Sequence, residues 1–121
     1  MIKLTFCLRR LPHLSREEFQ TYWRETHAPL VARHATTLGI LRYVQVHTGH
    51  NALNTAMQAS RGGPDAYDGV AELWFESEAA MAANSSEAAA KAGAELLEDE
   101  KKFIDLANSP LWFNDEHVVV G

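Results

Sequence analysis

The run Tyr22-Trp23-Arg24-Glu25-Thr26-His27-Ala28-Pro29-Leu30 sets an aromatic pair, a histidine and a proline inside one stretch of amphipathic-helix spacing. Residues four apart share a helix face, so the Trp23 indole and the His27 imidazole project side by side. An imidazole with a reference pKa of about 6.5 takes or gives a proton near neutrality, which makes His27 a candidate general acid or base. Tyr22, one position along, carries a phenol that can donate to a developing oxyanion, and Trp23 offers an apolar wall. Pro29 has no N–H for the Glu25 carbonyl and crowds that turn, so the helix is expected to kink or tighten where the histidine sits. The same residues also suit a structural role, because aromatics on such a face commonly pack a core and a lone histidine there is commonly a hydrogen-bonded packing residue.

These groups need elements to hold them. Ile2-Lys3-Leu4-Thr5-Phe6-Cys7-Leu8-Arg9 alternates with the period of a strand. Leu11-Pro12-His13-Leu14 interrupts it, and Ser15 followed by Glu18 forms a capping box, with Leu14 and Phe19 placed as a hydrophobic staple. A helix is therefore expected from Ser15 to about Thr36, with Gly39 marking its exit and His34 in its last turns. Leu41 to His47 is rich in β-formers; Tyr43, Gln45 and His47 share one face of that strand and Arg42, Val44 and Val46 the other. Gln45 and His47 are thus candidate polar contacts for a ligand. The stretch from His50 to Asp68, with Gly62-Gly63-Pro64-Asp65, has loop composition and is expected to be a disordered segment or an interface arm. Gly69 to Phe75 reads as the third strand, with Glu72 as an edge or solvated carboxylate. An Ala-, Glu- and Lys-rich helical region follows from Ser77, broken near Asn84-Ser85-Ser86 and Gly93 and ending near Leu106. Ser109-Pro110 stops it, and Leu111 to Val120 is expected as the fourth strand, bringing His117 in as a further polar candidate.

The order βαββαβ with right-handed crossovers implies an α+β, ferredoxin-like fold: a four-stranded antiparallel sheet with both helices on one face. The other face then stands open. Large apolar residues occur at both parities of the third and fourth strands, as in Val70 and Trp74 against Leu73 and Phe75, so this face is expected to be an association site; a homodimer closing two such sheets into a barrel would bury it, and parity alone does not choose that over another sheet-face packing.

Composition narrows the classes. A chain of 121 residues with 46% hydrophobic and 22% charged residues is expected to form one globular domain, residues 1–121. A net charge of -5 and scattered Lys and Arg argue against nucleic acid and anionic membrane as partners. No apolar run approaches the roughly 18 residues of a membrane span, and the N-terminus lacks a signal-peptide pattern, so the expected location is cytoplasmic. Cys7, the single cysteine, is expected as a packed thiol. The histidines show no zinc-site spacing and there is no glycine-rich phosphate loop, so neither metal nor nucleotide cofactor is expected.

Trp23-x-x-x-His27-Ala28-Pro29-Leu30, preceded by Leu14-Ser15-Arg16-Glu17-Glu18-Phe19 and followed by Leu41-Arg42-Tyr43-Val44-Gln45, Tyr67 to Phe75 and Phe103 to Ser109, resembles the EthD family of the dimeric α+β barrel superfamily. The similarity runs nearly end to end, apart from His50 to Ala66. It implies the dimeric barrel and a cleft between helices and sheet, lined by Trp23 and His27. Asp105 resembles an acidic position that recurs in the family's second helical region. The wider superfamily holds cofactor-free monooxygenases, lactone isomerases, polyketide cyclases and haem proteins. The expected activity is proton-transfer chemistry of isomerase, cyclase or lyase type on an apolar aromatic, lactone or polyketide-like small molecule. The alternatives are a cofactor-independent monooxygenase or ether-degradation oxidoreductase, and a non-catalytic small-ligand or haem-binding stress-response module.

Overall fold

In the computed structural model, which describes residues 1–121, the alternation at the N-terminus becomes β1 (Ile2–Leu8). Its partner on one side is β3 (Gly69–Phe75), antiparallel from Ile2 against Phe75 to Leu8 against Gly69. On the other side lies β4 (Leu111–Asn114), with Leu4 opposite Phe113 and Phe6 opposite Leu111. β2 (Arg42–His47) pairs antiparallel with the free edge of β3, completing a four-stranded sheet in the order β2-β3-β1-β4. This is the ferredoxin-like α+β arrangement. The registers put Leu4, Phe6, Leu8, Ala71, Leu73, Tyr43, Gln45 and His47 on one face, since side chains alternate along each strand.

That face is covered by the helices. Ser15 Oγ accepts the Glu18 N–H at 3.0 Å and Glu18 Oε1 accepts the Ser15 N–H at 2.9 Å, which starts α1 (Arg16–Tyr22) as the capping box predicts. The chain then passes through a π-helical turn (Trp23–His27) into α2 (Ala28–Leu38), which ends at Gly39 in a left-handed conformation with φ 73°. The expected kink or tightening at Pro29 is corrected here: the helix widens, and the Ala28 N–H reaches back five residues to the Trp23 carbonyl. Pro29 offers no N–H to Glu25, and an extra residue in the preceding turn accommodates its ring.

The second helical region divides in two, each half with its own serine cap. Ser77 caps α4 (Glu78–Ala83) and Ser86 caps α5 (Glu87–Glu100); a 3-10 turn (Leu106–Asn108) follows. Between β2 and β3, α3 (Ala52–Arg61) lies in the stretch that loop composition marked as irregular. Asn51 Oδ1 accepts the Asn54 N–H at 3.0 Å, and Gly62 ends the helix at φ 60°. Cap residues at both ends and helix-forming Ala, Leu, Met and Gln between them outweighed the Asn and Ser content. No residue of α3 is buried, and Leu53 and Met57 are 64% and 52% exposed. The fourth strand is also shorter than expected. It stops at Asn114, whose amide turns back to Thr5 Oγ1 at 2.7 Å, and Val118 to Val120 are exposed.

Phe6, Leu8, Phe19, Trp23, Ala71, Phe103 and Ile104 form the main core, with Val31, Ile40 and Phe75 in a second cluster. Phe19 and Trp23 pack at 5.7 Å between ring centres and Phe19 and Phe103 at 5.4 Å. Each such ring contributes roughly 1.5–3 kcal/mol by leaving water. Buried Asp68 ties the start of α1 to the sheet, accepting from the Arg10 N–H at 2.8 Å, Arg10 Nη1 at 2.5 Å and Arg16 Nε at 2.9 Å. The opposite sheet face carries Val44, Val46, Val70, Trp74 and Trp112 around a Lys3–Glu72 ion pair. Glu72 is thus paired and partly covered rather than a free edge carboxylate.

Candidate functional site

Between the sheet and helices α2 and α5 lies a cavity of about 270 Å3, just below the roughly 300–1,000 Å3 usual for ligand pockets. Fifteen of its eighteen lining residues are hydrophobic, and the other three are Gly93, His27 and Glu100. The polar groups able to meet a ligand are therefore few: the His27 imidazole, the Glu100 carboxyl and the Tyr43 phenol.

His27 reaches this wall from the π turn and is buried. Its Nδ1 stands 2.7 Å from Asp99 Oδ2, and the Tyr22 hydroxyl donates to Asp99 Oδ1 at 2.6 Å. Burial alone would push the Asp99 carboxyl upward, but the hydrogen bonds from Tyr22 and His27 hold it below the usual carboxylate range. An ionised Asp99 only accepts, so Nδ1 carries the ring proton and Nε2, which has no partner within the chain, keeps its lone pair. Burial pushes the His27 pKa down, with Asp99 partly offsetting it, so the imidazole is neutral near pH 7. Such an arrangement can serve as an oriented base in a mostly apolar chamber.

The Tyr43 oxygen accepts from Gln45 Nε2 at 2.9 Å, and the same amide nitrogen donates to the Trp23 carbonyl at 2.9 Å. With that lone pair occupied, the Tyr43 O–H is available to a ligand; burial raises its pKa, so the phenol keeps its proton. Gln45 Oε1 accepts from His47 Nε2 at 2.8 Å, and the His47 ring stacks on Trp23 at 4.4 Å. Glu100 is pushed up to about 7, by burial first and by the neighbouring Asp99 charge second.

His27 and Trp23 line the cavity together. Tyr22 stands behind Asp99, with its own pKa pushed up to about 12 by burial and by that hydrogen bond, and does not line the cavity. Gln45 and His47 brace Tyr43 and Trp23 from behind. Asp105 is away from the cavity: its carboxylate accepts from Asn108 Nδ2 at 2.7 Å and its carbonyl from Ser109 Oγ at 2.7 Å, so it organises the turn before β4. His117 lies in the exposed C-terminal segment, outside the cavity lining. Asp99, Glu100 and Tyr43 were not singled out from the sequence as site residues. For Asp99 the signal was helical spacing, since Ala89, Ala92, Leu96 and Asp99 form the inward stripe of α5 and a carboxylate on such a stripe calls for a partner; for Tyr43 it was the strand face shared with Gln45 and His47.

A match to the EthD domain covers residues 11–107. The chain belongs to the EthD family. Among solved structures, an EthD family protein from Bacillus halodurans is similar over 97% of this chain and 99% of its own, at 19% identity and a TM-score of 0.60. An EthD-like protein from Ralstonia eutropha is similar over 98% of this chain and 92% of its own, at 20% identity and a TM-score of 0.60. HapK from Hahella chejuensis is similar over 100% and 96%, at 11% identity and a TM-score of 0.57. At these identities the likeness concerns the fold. No curated protein matches the sequence. No helix of this EthD family member is long and apolar enough to cross a membrane.

Proposed function

We propose that this EthD family member is a proton-transfer enzyme of isomerase, cyclase or lyase type acting on an apolar aromatic, lactone or polyketide-like molecule. The observation that carries this reading is the 2.7 Å contact between His27 Nδ1 and Asp99 on the wall of an otherwise apolar cavity. His27 Nε2 takes a proton from a carbon beside a substrate carbonyl. The electron pair of that C–H bond moves to the carbonyl oxygen, where the Tyr43 O–H stabilises the developing charge. Asp99 holds the ring and offsets the imidazolium, and Tyr22 holds Asp99. The apolar walls exclude water and strengthen each of these interactions.

The working assembly in this reading is a homodimer formed through the open sheet face, where Trp112 is 47% and Val46 44% exposed.

A thermal-shift screen of wild type and His27→Ala against phenols, quinones, unsaturated lactones, short polyketides and haem tests the site. A ligand at about a hundred times its Kd stabilises by roughly 2.7 kcal/mol, several degrees for a domain of this size. The expected result is a lactone, phenol or polyketide hit that is turned over by wild type and not by the variant. Equal turnover in His27→Ala contradicts the assignment.

A further inference from the structure

Glu100 is the one acidic residue on the cavity wall. It is the last residue of α5, one turn beyond Leu96 and two beyond Gly93, both of which also line the cavity. Its neighbour Asp99 turns instead to His27 and Tyr22, so two consecutive carboxyls have different surroundings. Asp99 has two hydrogen-bond donors and Lys102 at 3.7 Å. The half-buried Glu100 side chain has no hydrogen-bond or ion-pair partner in the chain, and the cavity wall it belongs to is mainly leucine, valine, isoleucine and phenylalanine. A carboxyl in such surroundings favours the neutral acid, in keeping with its rise to about 7. The cavity thus holds a group ready to accept a proton and another ready to give one, the usual mark of an acid–base pair.

We propose that Glu100 is a second catalytic residue of this cavity, and that the substrate is an unsaturated ketone or lactone whose proton is taken from one carbon and returned to another. The proposal rests on the reading of His27 as the base. His27 Nε2 removes the proton between the carbonyl and the carbon–carbon double bond. The electrons of the broken C–H bond form a conjugated dienolate, whose oxygen accepts from Tyr43. The far end of the dienolate then takes the Glu100 proton, which breaks the O–H bond, leaves Glu100 as carboxylate and restores the carbonyl in the conjugated isomer. Proton exchange with solvent returns His27 to the neutral base and Glu100 to the acid, so no oxidant, metal or cofactor enters the balance.

α-Angelica lactone, whose double bond lies out of conjugation, is the probe. Followed by proton NMR in D2O, wild type is expected to exchange the hydrogens beside the carbonyl and to form the conjugated lactone. Glu100→Gln is expected to retain that exchange while isomerisation falls about a hundredfold, and His27→Ala to lose both. Isomerisation by Glu100→Gln at the wild-type rate overturns the role of Glu100 and leaves the base intact. Exchange that persists in His27→Ala overturns the base itself, and a wild type inert toward the lactone overturns the substrate class. Infrared spectroscopy of the free protein tests the acid without any substrate. A protonated-carboxyl stretch is expected at about pH 6 in wild type and not in Glu100→Gln; its absence from wild type overturns the proposal.

Discussion

Asp99 decides which nitrogen of His27 is basic, and that choice underlies the proposed chemistry. In Asp99→Asn the amide can turn its NH2 toward Nδ1, which moves the ring proton to Nε2 and leaves no lone pair facing the cavity. Turnover is expected to fall about a hundredfold or more, with a stability loss of about 1–3 kcal/mol from the disturbed contacts to His27 and Tyr22. The pH profile of wild type carries the same signature. In the proposed mechanism activity needs neutral His27, whose pKa lies below its usual 6.5, and protonated Glu100, whose pKa is raised to about 7. A bell is expected, with an acid limb below pH 6.5 and an alkaline limb near 7; a profile still rising well above neutrality would contradict the Glu100 assignment. Glu100 holds a proton in the fold that the unfolded chain releases from about pH 4.5, so its contribution to stability is lost as pH rises toward about 7. His27 and Trp23 were legible as a pair because helical spacing brings them together. Asp99 and Glu100 were not, because an acidic pair at the end of an Ala- and Glu-rich helix reads as solvated until the helix is docked.

Among the elements, the π turn and β3 are matched to each other. The turn delivers Trp23 onto the sheet at Gly69, where a Cβ would collide with the indole ring and with the Val46 carbonyl oxygen. Gly69→Ala is therefore expected to lower unfolding free energy by about 1–3 kcal/mol in urea denaturation. An unchanged midpoint would show that Trp23 can move off the sheet at little cost. The strand parity of Tyr43, Gln45 and His47 was readable in the sequence, and it does face the helices. The widened turn was not, because a proline predicts a disturbance without saying whether the helix tightens or adds a residue. α3 was missed for a related reason. Its caps at Asn51 and Gly62 are helix signals, but its apolar face is little more than Leu53 and Met57, which stay exposed, so no core-facing pattern announced it.

At the scale of the molecule, the βαββαβ framework followed from alternation in the strands, the capping box at Ser15 and the break at Ser109-Pro110, and right-handed crossovers made it a ferredoxin-like antiparallel sheet; α3 between β2 and β3 is an addition to that framework. The extent of β4 did not follow: Val118 to Val120 are strand formers by composition yet stand exposed beyond Asn114. The open face is less apolar than parity alone indicated, since Lys3 pairs with Glu72 and the Arg42 guanidinium sits 4.7 Å from the centre of the Trp74 ring. It still presents Val44, Val46, Val70 and Trp112, and in the proposed dimer these residues are covered. Trp112→Asp is expected to shift sedimentation from dimer to monomer, while a wild type that sediments as a monomer at micromolar concentration would contradict this assembly. The central claim is that His27 offers a basic Nε2 to the cavity, and nitrogen-15 NMR of the imidazole at about pH 7 in wild type and Asp99→Asn tests it most directly. The account predicts a neutral ring with its proton on Nδ1 in wild type and a change of tautomer in the variant. A wild-type ring protonated on Nε2, or charged on both nitrogens, would contradict it.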